Sequence, residues 1–192
     1  GPVQSVGLGV WHSCALLQSG DMQCWGFNGS GALGYGHGLT IGVLEDPASA
    51  GLLDLGGAVS QFAGGISHTC GVFPSGELSC WGWSNKGAVG RGDSGSIGDN
   101  ETPAEVGPLA LGVDVTQVTA GDNHTCALDT TGDVRSWGWN ERGQLGYGHA
   151  NDLNEPGGVV SVGGTVTALD AAGNESVPSD PIQISTQSYS GR

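Results

Sequence analysis

Apolar and polar residues alternate along this chain only in short bursts, and the bursts return on a fixed schedule. Val3-Gln4-Ser5-Val6, Val59-Ser60-Gln61-Phe62 and Val115-Thr116-Gln117-Val118 each set apolar residues at both ends of a polar pair, an imperfect alternation that predicts a short strand. A small-residue and glycine step follows, then a second strand that starts at His12, His68 or His124 and runs through Cys14, Cys70 or Cys126. Turns at Gly20, Gly76 and Gly132 lead into a third strand. There Trp25 and Phe27, Trp81 and Trp83, and Trp137 and Trp139 lie two apart and so share one strand face. A long loop runs on to Pro47, Pro103 or Pro156, and a fourth strand is expected at Leu52-Leu53 or Val159-Val160. Four short strands per unit joined by glycine-rich turns predict an all-β fold of β-propeller-type blades.

The schedule is a repeat of about 56 residues. The His-x-Cys triplets, the Trp-Gly pairs and the closing Gly31-x-x-Gly34-x-Gly36, Gly87-x-x-Gly90-x-Gly92 and Gly143-x-x-Gly146-x-Gly148 all recur at that spacing. The units are blade 1 at 3–58, blade 2 at 59–114 and blade 3 at 115–165, with a C-terminal segment at 166–192. Each unit buries its apolar face against a neighbour. Gly1-Pro2 has the form of the remnant left when an expression tag is cleaved, and is expected to lie outside the fold.

Glycine makes up 38 of 192 residues, far above the usual share of about 7%. Its fixed offsets mean tight turns rather than a flexible linker. Five Lys and Arg against nineteen Asp and Glu leave a net charge of −14, with the acids scattered from Asp21 to Asp180. Such a field repels phosphate backbones and anionic membrane surfaces, which argues against nucleic-acid binding. No apolar run approaches the roughly eighteen residues of a membrane span, so membrane insertion is not expected.

Cys14 and Cys24 are ten residues apart around the turn at Ser19-Gly20, and Cys70 and Cys80 repeat the arrangement around Ser75-Gly76. Hairpins folded there set each pair directly across from one another, at the roughly 4.5–5.5 Å that a disulfide spans. In the third unit Cys126 faces Ser136, leaving a free thiol. Two disulfides and one thiol place the chain outside the cytosol, secreted or on a cell surface. The alternative is a set of small buried thiols; zinc is disfavoured because no Cys-x-x-Cys spacing occurs.

The succession of Val-x-x-Val, Gly-x-x-His-Thr-Cys-x-Leu, Gly-Asp-Val, Trp-Gly-x-Asn and Gly-Gln-Leu-Gly-x-Gly, fullest between Val115 and Gly148, resembles the regulator-of-chromosome-condensation repeat. Its cysteine-bearing form is similar to the alpha-tubulin-suppressor-like repeats of bacterial exported proteins. The resemblance covers residues 3 to 165 and implies blades of a seven-bladed β-propeller. Only three repeats are present here, whereas a ring needs at least four. A fourth begins at Gly163-Gly164-Thr165-Val166 and then departs: the run through Asp170-Ala171-Ala172-Gly173-Asn174 to Pro181-Ile182-Gln183-Ile184 is similar to the last hairpin of a fibronectin type III module. That tail is expected to be a capping strand pair or part of a truncated module. An open arc exposes two blade faces, so self-association is expected, for instance two copies closing a six-bladed ring.

Candidate chemistry is sparse. His12, His68 and His124 recur at one position in every unit, which is best explained by packing and hydrogen bonding common to the units rather than by a metal ring. His37, Asp93 and His149 also share a position, but on three different blades. No nucleophile elbow is present, and Gly-x-x-Gly-x-Gly is followed by no helix that would aim amides at a phosphate. No enzyme activity and no cofactor are expected. Freedom for function lies where the repeats differ. Trp11 stands where Ser67 and Asn123 stand, either as an exposed contact or as padding on the first blade's face. The loops 37–46, 93–102 and 149–155 differ most and carry His37, Asp93, Asp99, Asn100, His149, Asn151 and Asp152, the candidate partner contacts; the alternative is solvated loops without a partner. The expected function is a secreted or surface-displayed scaffold binding protein or glycan. The rivals are an assembly unit of a large extracellular adhesin or fibre and, remotely, guanine-nucleotide exchange, which the resembled family's best-known member performs.

Overall fold

The computed structural model describes residues 1–162, and the tail expected at 166–192 lies outside the described residues. Residues Gly1–Val160 form one compact unit. It holds three antiparallel sheets: β1 (Val3–Leu8), β2 (His12–Leu17) and β3 (Met22–Gly26); β4 (Gln61–Gly64), β5 (His68–Val72) and β6 (Leu78–Gly82); β7 (Val115–Ala120), β8 (His124–Asp129) and β9 (Val134–Gly138). Each is a meander with its second strand in the middle. The hairpin register pairs Cys14 with Cys24, Cys70 with Cys80 and Cys126 with Ser136. The first two pairs are disulfides, with Cα atoms 4.1 and 4.0 Å apart, and Cys126 is a free thiol to which the Ser136 hydroxyl donates at 3.0 Å.

The fourth strand is reduced to isolated backbone hydrogen bonds, and none of the three blades forms a fourth ladder. Leu53 N–H donates to Met22 O at 3.0 Å, Leu109 N–H to Leu78 O at 2.7 Å and Val160 N–H to Val134 O at 2.8 Å. A ladder needs consecutive extended residues, and here Gly51 and Gly56 take positive φ while Pro108 lacks an N–H. The strand expected at 59–62 is displaced to Gln61–Gly64, and Val59 N–H donates to Gly20 O of the preceding hairpin turn at 2.8 Å. Val115 repeats that bond to Gly76 O at 2.7 Å. The long loops contain one-turn helical segments at Pro47–Ala50 and Pro103–Val106, started by proline and capped by Asp46 and by the Thr102–Glu105 capping box.

The core runs continuously through the three sheets. Both disulfides, Leu16, Met22, Leu33, Leu78, Val89, Trp81 and Trp137 are buried within it. Trp81 and Trp137 are sealed by the preceding blade, whereas Trp25 of the first blade is only partly buried. The seam is also closed by backbone. At Gly31, with φ 75°, an added Cβ would sit 2.5 Å from Ile97 O and Asp99 N of the next blade's loop. At Gly87 it would sit 2.4 Å from Asn154 Cα, while Gly143, with φ 74°, has no described atom within 4 Å. The recurring first glycine of Gly-x-x-Gly-x-Gly is thus the point where one blade's turn receives the next blade's loop.

Candidate functional site

The recurring polar residues form a relay across each seam. His12 Nε2 meets Thr69 Oγ1 at 2.8 Å, Thr69 Oγ1 donates to Ala32 O at 2.8 Å, and Trp81 Nε1 donates to the same carbonyl at 3.1 Å. The next seam repeats it: His68 to Thr125 at 3.1 Å, Thr125 to Ala88 O at 2.9 Å and Trp137 to Ala88 O at 3.0 Å. Because each threonine hydroxyl donates to the carbonyl, the histidine Nε2 bears the proton and donates to the threonine oxygen. Burial holds these imidazoles neutral, pushing His12 down to about 4 and His68 down to about 3, the latter also opposed by its neighbours His12 and His124. Among the described residues the pattern is open at the arc's ends. Ser13 and Trp25 of the first blade occupy the threonine and tryptophan places, and His124 and Gln144 of the third hold the histidine and carbonyl places.

A second set of recurring residues closes each blade's own loop. The buried Asn28 accepts from Leu33 N–H at 2.9 Å, as Asn140 does from Leu145 N–H at 2.9 Å, and their amides hold the carbonyls of His37 and His149. The Tyr35 hydroxyl bonds both backbone groups of Cys24 at 3.2 Å; the Tyr147 hydroxyl does the same at Ser136, at 3.0 and 3.1 Å, and reaches Gly158 O at 2.8 Å. The second blade departs from this scheme, with Ser84, Arg91 and Asp93 in place of asparagine, tyrosine and histidine.

The partner-contact candidates fall in two groups. Trp11, 60% exposed, and Asn100, Asp93, His149 and Asn151 face solvent. His37 and His149 stack on Tyr35 and Tyr147 with ring centroids 5.8 and 6.0 Å apart, in separate blades with Asp93 at the equivalent place between them. Asp99 is partly buried. Asp152 has internal work: it accepts from Asn140 N–H at 2.7 Å and pairs with Lys86 of the preceding blade at 3.3 Å. Sequence reasoning missed the tyrosine clamps and the threonine link, although all sit at fixed offsets from the tryptophan. Arg91 breaks the tyrosine position and was visible in the same alignment.

Three consecutive sheets, each sealed to the next by an identical relay, define a repeat protein built of propeller blades. The chain belongs to the regulator of chromosome condensation (RCC1) repeat family, whose models match residues 3–32, 115–144 and 75–128. It is 36% identical over 175 residues to the ultraviolet-B receptor UVR8 of Arabidopsis thaliana, covering 88% of this chain and 37% of that protein. It is 32% identical over 186 residues to the mitochondrial RCC1 domain-containing protein RUG3 of the same plant, covering 91% and 39%. Among solved structures, human WBSCR16 aligns with a TM-score of 0.66 and 26% identity, over 82% of this chain and 37% of that one. Yeast RCC1 (Prp20), in its structure with Kap60, aligns with a TM-score of 0.67 at 21% identity over the same shares, and shows the fold alone. The chain therefore spans under two fifths of the length of these relatives.

Proposed function

We propose that this chain is a non-enzymatic binding scaffold, working in an oxidising extracellular setting, whose inter-strand loops contact protein or glycan. One observation carries the reading: the residues common to the repeats are consumed by seams and loop closure, while several that differ, Trp11, Asn100 and Asn151 among them, face solvent. His12, Thr69, Trp81 and Asn28 are all buried. Loops on a rigid frame are where recognition concentrates. The two buried disulfides support an oxidising compartment. Among the described residues no helix is long and apolar enough to cross a membrane. Screening the oxidised chain on glycan and protein arrays tests the reading. Retention that falls in Trp11→Ala, or on grafting blade 1 loop residues into 93–102, supports it; no retention on either array overturns it.

A second reading, an assembly unit of a larger extracellular structure, is favoured by the relay halves that have no partner among the described residues. Ser13 and Trp25 on one face, and His124 and the Gln144 carbonyl on the other, are the two halves of the relay that joins the internal seams. A second copy placed head to tail supplies each half to the other. Light scattering on the oxidised chain decides this: a multimer that Trp25→Ala dissociates supports assembly, and a monomer at all concentrations removes it.

A further inference from the structure

A cleft of about 370 Å³ lies at the seam of the second and third blades, with Arg91, Leu109 and Leu111 on one side and Arg135, Glu155 and Pro156 on the other. Its place in the repeat is informative. The residues equivalent to Arg91 and Arg135 on the first seam are the neutral Tyr35 and Ser79. In blades 1 and 3 the tyrosine ties the loop to the third strand and stacks on a histidine, but Arg91 does neither and donates to Gly107 O. The second blade has exchanged an aromatic clamp for a cation.

The charge balance makes that exchange unusual. The chain has five basic residues and a net charge of −14, and two of the five line this one cleft. Arg135 is ion-paired with the buried Asp129, whereas Arg91 forms no ion pair among the described residues. The Nε of each is buried without a hydrogen-bond acceptor among the described residues. Arg135 Nε lies 3.6 Å from Asp129 Oδ2, beyond hydrogen-bond reach, and Asp129 Oδ1 is already occupied by Thr131 and the Asp133 N–H. Burial lowers the Arg91 pKa against the pull of Asp93, as expected where a cation is short of partners. Among the described residues, neither arginine forms an ion pair with Glu155.

The lining selects the ligand. Paired guanidiniums suit a planar carboxylate, which each can grip with two N–H groups. Glu155 nearby, and the acidic field around it, penalise a dianion such as phosphate more than a monoanion. Glu155 is an exposed acceptor on the rim, and Leu109, Leu111 and Pro156 offer an apolar wall. The volume is at the small end of the roughly 300–1,000 Å³ typical of ligand sites. We propose that the cleft binds a hexuronate: the carboxylate between Arg91 and Arg135, ring hydroxyls donating to Glu155, and the C–H face on Leu109, Leu111 and Pro156. This rests on the scaffold reading and narrows its ligand to an acidic sugar.

The test is titration of the intact chain, followed by amide NMR, with glucuronate, galacturonate, the matching neutral sugars and an N-acetyl dipeptide bearing a free carboxylate. The expected result is saturable shifts at Gly90, Leu111 and Arg135 with a uronate, and binding weaker by at least about tenfold for neutral sugars, since a charge-assisted pair is lost. Arg91→Tyr installs the residue that blades 1 and 3 already carry, so it keeps the fold while closing the cleft, and it should abolish the shifts. Arg135→Gln should weaken them at least about tenfold. Absence of uronate binding, equal response to neutral sugar, response to the dipeptide alone, or full binding by Arg91→Tyr each overturns the assignment. Array retention that persists in Arg91→Tyr leaves the scaffold reading standing with its ligand elsewhere; loss of all retention in the parent chain removes the scaffold reading itself.

Discussion

His68 donates through Nε2 to Thr125 Oγ1 across the second seam at 3.1 Å, and His12 makes the same bond to Thr69 across the first at 2.8 Å. The threonine thereby joins three elements: a histidine of the preceding blade, a loop carbonyl of that blade and its own strand. Blade order is written in this contact, because each histidine needs a hydroxyl that only the following unit provides.

Removing that hydroxyl should weaken the arc more than one exposed hydrogen bond would. In Thr125→Val the buried His68 Nε2–H loses its acceptor, while Ala88 O keeps Trp137. Leaving one buried donor unsatisfied costs about 1–3 kcal/mol. Urea unfolding should show the lower midpoint with an unchanged slope. A Ser13→Ala variant, at the same repeat position on the first blade's open side, should be near neutral.

Acid should unfold the chain through these histidines. His12 and His68 titrate at about 4 and about 3 when folded, against a usual 6.5 when unfolded. Between those limits the unfolded chain binds more protons, so stability is complete above about pH 6.5 and falls as pH drops towards 4. His68→Gln, which keeps a donor for Thr125 but does not titrate, should show a shallower fall in denaturation midpoint over that window. An equal slope in both proteins would remove the histidines as the cause.

A third disulfide should form on demand. Cys126 pairs in register with Ser136, as Cys14 does with Cys24. Ser136→Cys should consume the free thiol in a thiol titration and raise stability by about 2–3 kcal/mol, the chain-entropy value for so short a loop. The gain should vanish under reductant together with that of the two native bridges.

Two glycines of one motif should respond differently to alanine. Gly31 and Gly143 share a positive φ, of 75° and 74°, so both carry a backbone penalty of about 1–2 kcal/mol. Only at Gly31 does the new Cβ collide with the next blade's backbone. Thermal melts should therefore place Gly143→Ala slightly below the parent and Gly31→Ala well below it.

Much of the blade was legible in the residues. A local period of two, a glycine at each turn and a register set by a short hairpin depend on near neighbours, so Cys14 opposite Cys24 follows from spacing alone. The shared face expected for Trp81 and Trp83 does not form: β6 ends at Gly82, whose φ of 100° breaks the alternation and leaves Trp81 buried and Trp83 exposed. The fourth strand did not follow, because its pairing is decided by positive-φ glycines and by the next blade's arrival rather than by its own apolar residues. The inter-blade relay was equally invisible: His68 and Thr125 are 57 residues apart, and a repeat alignment shows that both recur without showing that they touch. The same holds for the cleft. Arg91 and Arg135 stand 44 positions apart in the sequence, and only the packing of one blade on the next puts both cations into one opening. Local backbone rules reached the hairpins; the seams, where function is proposed, arise from contacts between units that sequence order keeps apart.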